Sequence, residues 1–348
     1  MDAEVLVIGA GPAGCAAAIL LARAGRRVLL LEREAEAREI VCGEFLGPTA
    51  QAALARLGVG TEGAAPIAGV VLAHGRRVAR AALPFPGLGL PRLLLDARLR
   101  EAAGDVLRTG RMVREVVAIP GGWQARFGGE ALSAPILMLA TGKHGLRGAP
   151  PRPGRGWVGL KLHLAAEAPA AEVALLPFRG GYAGVQPNGA GLTLCAAFAP
   201  EVALPVDAAA FVALVAGASA QGAALLRDAR PLWPRALAIA GLPYGHLAEA
   251  TPPGLFRLGD QAAVIPSFSG EGMGLALASG LMAAEAVLAG RSAAQFQAGF
   301  ATRARAPLRR AGWVAAALGR APGLAALAAG LAPPAMAWLA GATRLGQG

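Results

Sequence analysis

The sequence predicts an α/β fold that combines a parallel sheet, an antiparallel sheet and a helical C-terminal region. Three observations predict it. Residues 4–32 have the pattern strand, glycine turn, helix and strand, residues 155–247 contain short apolar strands separated by turns, and the chain beyond residue 305 is rich in alanine and leucine. With 348 residues the chain can bury a large core. We therefore expect one large domain or two interleaved ones.

The first of these elements is a glycine turn between two strands. In the stretch EVLVIGAGPAGCAAAILLARAGRRVLLLERE, Gly9 permits a tight turn, Gly11 allows a pyrophosphate to approach, and Gly14 lets the helix pack closely on the strand. The free N–H groups at the helix start favour a negatively charged ligand. Glu32 ends the second strand, where a carboxylate can accept the hydroxyl protons of an adenosine ribose. This unit predicts a Rossmann-type dinucleotide site for FAD or NAD rather than NADP.

A second glycine-rich segment lies at residues 254–290. A short strand at residues 255–258 runs into Gly259 and Asp260, and a loop then leads to GEGMG (270–274), which opens a long apolar helix. Asp260 is placed to accept a hydrogen bond from a polyol hydroxyl. The bare N–H groups at the helix start would stabilise negative charge on a reduced flavin.

Four segments together resemble the flavoprotein superfamily that joins para-hydroxybenzoate-hydroxylase-like monooxygenases and geranylgeranyl reductases. They are the GAGPAG turn with Glu32-Arg33, the helix PRLLLDARLREAA (91–103), LMLATG (137–142) and the segment from Gly-Asp to Gly-Glu-Gly. The resemblance implies a Rossmann-type (GR2-like) FAD-binding domain, an antiparallel-sheet substrate domain and a C-terminal helical cap. The residues that it implies for FAD binding are Gly9, Gly11, Pro12, Ala13, Gly14, Glu32, Arg33, Arg92, Thr141, Gly142, Gly259, Asp260, Gly270, Gly272, Met273 and Gly274.

We divide the chain accordingly into three parts. The predicted FAD-binding domain is discontinuous, the substrate-binding domain is inserted into it, and a helical region follows both. The ranges are 1–75, 91–150 and 250–295 for the FAD-binding domain, 76–90 and 151–249 for the substrate-binding domain, and 296–348 for the C-terminal region.

One segment departs from the family pattern. After its middle strand the family often carries Asp-Gly with a downstream Ser and Arg, whereas this chain has TGKHGLR (141–147), with Thr141 in place of the acid. No second GxGxxG with its own βαβ unit is visible, so we expect no separate nicotinamide domain. NAD(P)H would then dock transiently as the electron donor, or a partner would supply the electrons.

The substrate half offers four candidate residues. Lys161 and His163 are two positions apart on one strand, so they share a face. Either the two side chains are solvated or satisfied at a sheet edge, or they line a cavity above the flavin. Tyr182 lies in GGYAGVQP, where geranylgeranyl reductases have a Tyr-x-Trp-x-Phe-Pro lipid-contact motif, but Trp and Phe are missing here. The fourth candidate is Pro266, in the loop after Asp260.

The stretch VCGEFLGP (41–48) places a cysteine and a carboxylate in a glycine-rich turn. In the superfamily the loop after the second strand approaches the flavin, and reductase members carry Cys-Gly there. The resemblance thus implies that Cys42 and Glu44 lie near the flavin as proton donors. Alternatively, glycines shape the turn, Cys42 packs as a small hydrophobe, and Glu44 caps the helix that begins near Pro48.

Composition and charge limit the classes of partner that we expect. The net charge is +11, but all basic residues except Lys143 and Lys161 are arginines, and they are scattered, so we expect no nucleic-acid partner. The three cysteines lie far apart without CxxC spacing, which predicts neither disulfides nor a metal site. The N-terminus has no signal-peptide pattern, so we expect a cytoplasmic protein.

Residues 321–343 carry no charge and are long enough to span a bilayer, but Pro322 and Pro333-Pro334 interrupt them. We therefore expect a helical cap over the cavity, or a peripheral contact with a membrane surface, rather than a transmembrane helix.

The favoured function is a flavin monooxygenase that hydroxylates an aromatic or polyketide-like compound. The alternative is a flavin-dependent reductase of an isoprenoid or other C=C bond, in which Cys42 or Glu44 supplies the proton. A third hypothesis, of another class, is a non-catalytic flavin- or lipid-binding protein. In each case we expect the ligand to be a small apolar molecule, and the sequence does not predict the oligomeric state.

Overall fold

A computed structural model describes residues 1–152, 156–166 and 170–346. Within them the chain forms seventeen strands: β1 (Val5–Ile8), β2 (Val28–Leu31), β3 (Phe45–Leu46), β4 (Ala65–His74), β5 (Arg77–Gly89), β6 (Leu107–Arg108), β7 (Glu115–Ile119), β8 (Gly122–Phe127), β9 (Glu130–Ala134), β10 (Ile136–Leu139), β11 (Trp157–Ala165), β12 (Glu172–Phe178), β13 (Gly181–Pro187), β14 (Leu192–Phe198), β15 (Arg230–Pro231), β16 (Leu237–Leu242) and β17 (Leu255–Arg257). The same residues form nine α-helices: α1 (Pro12–Arg23), α2 (Pro48–Arg56), α3 (Arg92–Ala103), α4 (Ala208–Gly217), α5 (Ala220–Leu226), α6 (Gly272–Leu288), α7 (Ala293–Arg320), α8 (Pro322–Leu331) and α9 (Pro333–Ala342).

The first of the two large sheets is parallel and has five strands, in the order β17-β10-β1-β2-β6. All four residues of β1 are buried, because helices and the small β7-β8-β9 sheet cover both faces of this sheet. The helices α1 and α6 pack closely, since a Cβ added at Gly280 would lie 2.2 Å from the Ala13 carbonyl oxygen. The Rossmann-type architecture predicted from the glycine turn is confirmed.

The second large sheet has nine strands, in the order β15-β11-β14-β13-β12-β4-β5-β3, with β16 also paired to β11. Its pairs are antiparallel except β12 with β4, which is parallel. The strands β3 (residues 45–46) and β4 (residues 65–74) belong to this sheet, although they lie inside the range 1–75 predicted for the FAD-binding domain. The sequence of an apolar strand such as β4 does not indicate which sheet the strand joins. The hairpin that β4 forms with β5 places it in the nine-stranded sheet.

The strand register brings one row of residues together across the nine-stranded sheet. Lys161 on β11 pairs with Cys195 on β14, which pairs with Gly184 on β13. Gly184 pairs with Leu175 on β12, and Leu175 pairs with Leu72 on β4. Paired residues point to the same side of a sheet. One face of the sheet therefore changes from a buried cation to aliphatic side chains over five strands.

The C-terminal region is a series of three helices. The helix α7 ends at Arg320, and α8 and α9 begin at the prolines predicted to interrupt the uncharged stretch. Both α8 and α9 pack against β5. Among the described residues, no single helix has the length and apolar character to cross a membrane; α7 and α8 meet those criteria only as a pair, bent by 117°.

Candidate active site

A cavity of about 1110 Å³ lies between the parallel sheet, the nine-stranded sheet and the C-terminal helices. Most of the residues predicted from the sequence line it. From the predicted FAD set these are Gly9, Gly11, Pro12, Ala13, Glu32, Arg33, Arg92, Thr141, Gly142, Gly259, Asp260, Gly270, Gly272 and Met273, and from the other sets Cys42, Glu44 and Tyr182. Five predicted residues do not line it: Gly14, Gly274, Lys161, His163 and Pro266.

The glycine turn after β1 has the geometry that the sequence predicts. Gly9 has a φ of +103°, which L side chains rarely adopt. A Cβ at Gly14 would lie 1.9 Å from the Gly9 carbonyl oxygen, so only glycine allows α1 to start this close to β1. At Gly11 an added Cβ would meet no atom within 4 Å. The space in front of Gly11 is therefore open to a ligand.

The Glu32 carboxylate lies at the end of β2 and is 8% exposed. It accepts hydrogen bonds from the backbone N–H groups of Ala10 and Glu34, at 2.8 and 3.0 Å. Arg100, which the sequence reading missed, has one Nη 3.7 Å from this carboxylate and lines the same cavity. Its Nε and other Nη are buried without a partner among the described residues.

These residues fit the FAD that the resemblance implies. Unpartnered guanidinium N–H groups and an open helix N-terminus favour a pyrophosphate, and the Glu32 carboxylate favours a ribose. The start of α1 and Arg100 would hold the phosphates, Glu32 the adenosine ribose, and Asp260 the ribityl chain. The glycine-rich segment at 270–274 would lie beside the flavin ring, which supplies two-electron redox chemistry.

The segment that departs from the family pattern is held by Gln261, a residue that the sequence reading missed. The Thr141 hydroxyl donates to the His144 carbonyl oxygen at 2.9 Å. The Gln261 side-chain amide donates to Thr141 Oγ1 and to the carbonyl oxygens of Gly142 and His144, at 2.8–2.9 Å. Threonine at position 141 thus stabilises a turn that forms part of the cavity wall.

Arg92 and Asp96 explain the Arg-x-x-Leu-Asp pattern in α3. Both are buried, and the guanidinium donates to both carboxylate oxygens at 3.0 Å. Burial raises the pKa of Asp96, while the Arg92 charge opposes that rise. The pair lies one turn apart at the start of the helix and presents Arg92 to the cavity.

Glu44 is the centre of a buried charge network. Its oxygens accept hydrogen bonds from Lys161 Nζ at 2.5 Å, from His163 Nε2 at 2.7 Å, from the Thr193 hydroxyl and from the Arg92 backbone N–H at 2.7 Å. Both Glu44 and Lys161 have no exposed surface. Glu44 also has a φ of +61°, which is unfavourable for a non-glycine residue. The network holds this strained turn in place.

The network determines the protonation of Glu44. Burial alone would raise the pKa of its carboxyl, but the hydrogen bond from His163 and the charge of Lys161 lower it to about 2. Burial would likewise lower the pKa of Lys161, and Glu44 and Glu39 raise it instead. At neutral pH Glu44 is a fully paired carboxylate. It has no proton to donate, so this environment does not fit the role of proton donor that we predicted for it.

Lys161 and His163 do not line the cavity: Lys161 is fully buried and His163 is 8% exposed. They lie on β11, next to the edge strands β15 and β16, and point at Glu44 and Glu39, and His163 also packs against Trp233 with ring centroids 4.9 Å apart. Their polar groups are satisfied by partners near the edge of the sheet, and neither side chain lines the cavity. Their partners Glu39 and Glu44 lie in a loop more than one hundred residues earlier in the chain. The periodicity of a strand does not reveal contacts with such a distant loop.

Glu39, Glu44 and His163 place three metal-ligand atoms within 4.8 Å of one another. However, Lys161 Nζ contacts both carboxylates, at 2.6 and 2.5 Å. An ammonium group already neutralises these oxygens, and its charge would repel a cation. We therefore interpret the cluster as an ion network.

Two thiols line the cavity next to this network. The Cys42 sulfur accepts a hydrogen bond from the Glu44 backbone N–H at 3.4 Å. Cys195, which the sequence did not single out, lies beside Lys161 in the sheet, and burial raises its pKa to about 12. The Cys195 side chain is therefore a thiol at neutral pH.

Tyr182 belongs to an aromatic cluster on the same wall. Its hydroxyl lies 3.1 Å from the Ser267 hydroxyl, which also accepts a hydrogen bond from Tyr244. Burial raises the pKa of Tyr182 to about 12. The rings of Trp157 and Phe268 pack against Tyr182. Pro266 does not line the cavity, and its carbonyl oxygen accepts a hydrogen bond from the Ser269 hydroxyl.

The remaining wall of the cavity is apolar. Aliphatic side chains of β4, β5 and β12 face side chains of α7 and α9 across it. They are Val70, Leu72, Leu83, Val173, Leu175, Val314, Leu318, Met336, Leu339 and Ala340. Such a compartment suits an apolar ligand.

The C-terminal helices are attached to the start of α6 through Glu271, another residue that the sequence reading did not single out. Glu271 is fully buried and accepts hydrogen bonds from the Thr49 hydroxyl and the Arg344 guanidinium, both at 2.7 Å, and from the Leu345 N–H at 3.1 Å. The acid of the Gly-Glu-Gly motif therefore fixes the C-terminal helices over the cavity.

Comparison with known proteins agrees with these features. A family model described as an FAD binding domain matches residues 2–67. A menaquinone reductase from Mycolicibacterium smegmatis is 30% identical over 334 residues, which cover 83% of this chain and 77% of that protein.

Solved structures show the same fold at low identity. The flavin-dependent brominase Bmp2 matches with a TM-score of 0.79 and 17% identity, over 99% of this chain and 95% of that one. A geranylgeranyl bacteriochlorophyll reductase-like protein from Thermoplasma acidophilum matches with a TM-score of 0.70 and 17% identity, over 95% of this chain and 96% of that one.

Proposed function

Because the chain belongs to the superfamily of FAD-dependent oxidoreductases that includes para-hydroxybenzoate hydroxylase and geranylgeranyl reductase, we propose that it reduces a carbon–carbon double bond of an isoprenoid substrate. This choice reverses the order of the two enzymatic hypotheses drawn from the sequence. The observation that carries it is the pair of thiols, Cys42 and Cys195, in the wall of an otherwise largely aliphatic compartment.

A thiol suits reduction better than oxygenation. Reduction of an isolated double bond adds a hydride to one carbon and a proton to the other, and reduced FAD would supply the hydride. Cys42 is the acid that we assign to the proton, which leaves its sulfur as a thiolate that solvent reprotonates. Oxygen activation in the same compartment would instead expose both thiols to oxidation.

The position of the charge network supports the assignment of Cys42 as the proton donor. Glu44 fixes the turn that carries Cys42, and it remains ionised, so the thiol has no competing carboxylic acid beside it. The 30% identity to a protein named menaquinone reductase supports an isoprenoid-bearing substrate. We propose NAD(P)H, docking transiently, as the electron donor.

The test is anaerobic turnover of the FAD-loaded protein with NAD(P)H, or with dithionite in its place, and a prenylated naphthoquinone. Mass spectrometry should show a product with two added hydrogens on the prenyl chain. A product that gains an oxygen atom, formed only in air, would instead establish the monooxygenase. Binding of the compound without any product would favour the non-catalytic hypothesis.

A further inference from the structure

Gln186 is a polar side chain in the apolar part of the cavity. Gln186 lies on β13, lines the cavity and is 4% exposed. The register places it beside Thr193, which in turn pairs with His163. Gln186 is thus the last polar residue of a row that begins at the charge network and continues into the aliphatic wall.

The Gln186 side-chain nitrogen makes no hydrogen bond to the part of the chain that the structure describes. This atom, Nε2, is enclosed. The neighbouring amide of Asn188 is paired at both ends, with the Thr193 hydroxyl at 3.1 Å and the Ala190 N–H at 3.0 Å. A buried amide without a partner destabilises a folded protein, whereas an apolar side chain of similar size would not.

Buried polar groups without a protein partner need another explanation, and a ligand is one. The amide carries two donors and one acceptor oxygen, and a half-turn about its last side-chain bond exchanges their positions. Either end can therefore face a ligand in the cavity, and the amide would complete its hydrogen bonding only when the cavity is filled.

We propose that Gln186 determines substrate specificity by hydrogen bonding to an oxygen of the substrate. This inference deepens the proposed function, on which it rests for the isoprenoid part. The substrate is then an amphipathic molecule, with a carbonyl or hydroxyl at Gln186 and an apolar chain along Val70, Leu72 and the side chains of α9. A pure hydrocarbon would leave the amide unpaired and bind less well.

The test compares ligand binding to the oxidised, FAD-loaded protein and to its Gln186→Leu variant, so it requires no turnover. The probes are a prenylated naphthoquinone and squalene, a hydrocarbon, followed through the flavin absorbance. Gln186→Leu should weaken quinone binding by about tenfold and leave squalene binding unchanged. Its melting temperature should equal or exceed that of the wild type, because an unpaired buried amide is removed.

Gln297→Leu is the matched control. Gln297 is equally buried but does not line the cavity, and its amide is paired with the Arg257 N–H and the Ala248 carbonyl. This variant should melt at a lower temperature and bind both probes normally. Equal changes in the binding of both probes, or none, would overturn the proposal. Weaker FAD retention by Gln186→Leu would also overturn it and identify the flavin as the partner.

Discussion

Replacing Glu44 with glutamine should destabilise the protein by about 3 kcal/mol at neutral pH. The pKa of the Glu44 carboxyl falls from its ordinary 4.5 to about 2 in the folded chain. At about 1.4 kcal/mol per pKa unit, this difference corresponds to about 3 kcal/mol of stability. Glutamine keeps the shape of the side chain but leaves the buried Lys161 ammonium without its closest counter-charge.

The sign of the pH dependence follows from the same values. The folded-state pKa of Glu44 is lower than its unfolded value, so its contribution is fully present above pH 4.5 and disappears as the pH falls towards about 2. The variant lacks this carboxyl and should not show that part of the decline. The difference in stability between wild type and variant should therefore shrink by about 1.4 kcal/mol between about pH 6 and about pH 3.5.

Urea unfolding followed by circular dichroism measures both quantities. Glu249→Gln is the control, because Glu249 forms a 2.9 Å ion pair with Arg305 in which both side chains are about 60% exposed. Such a pair contributes less than about 1 kcal/mol, so this variant should be nearly as stable as the wild type. If Glu44→Gln loses no more stability than Glu249→Gln, the network does not hold the turn in the way that we infer.

Three further predictions concern the turn, the thiols and the cofactor. Gly14→Ala should destabilise the protein by about 1–3 kcal/mol or more in thermal melting, because its Cβ would lie 1.9 Å from a backbone oxygen. Gly299 lies in open space on α7, so Gly299→Ala should stabilise the protein by up to about 1 kcal/mol. Equal effects of the two substitutions would contradict the packing argument. Cys42→Ala should slow anaerobic turnover by about 10²–10⁴-fold with FAD content unchanged, and Cys195→Ala should slow it less than about tenfold; the reverse order would assign the proton to Cys195. Asp260→Ala should weaken FAD binding by about ten- to a hundredfold in equilibrium dialysis, through loss of a charge-assisted hydrogen bond, and normal retention would remove Asp260 from the FAD site.

The sequence predicts those parts of the site in which the interacting residues lie close together in the chain. Gly9 requires a positive φ, and Gly14 requires a close approach to the Gly9 carbonyl oxygen, so the spacing of the two glycines alone indicates the geometry. The ion pair of Arg92 and Asp96 is equally local, because residues four apart on a helix are neighbours.

The remaining features depend on contacts between distant segments. Glu44 meets Lys161 across 117 residues, and Glu271 meets Arg344 across 73. No periodicity encodes either contact, because each follows from the order in which strands pair and helices pack. The same holds for Gln186, which looks like an ordinary alternating strand residue in the sequence and stands out only because its amide has no partner.

The C-terminal wall of the cavity has a consequence for synthesis of the protein. The segment at residues 9–14 leaves the ribosome long before Met336, Leu339 and Arg344, which also line the cavity. Domains generally begin to fold while the chain is still being made. We therefore expect that FAD can reach an open cleft in the nascent chain, and that the docking of Arg344 on Glu271 encloses the apolar compartment only after the cofactor has had access.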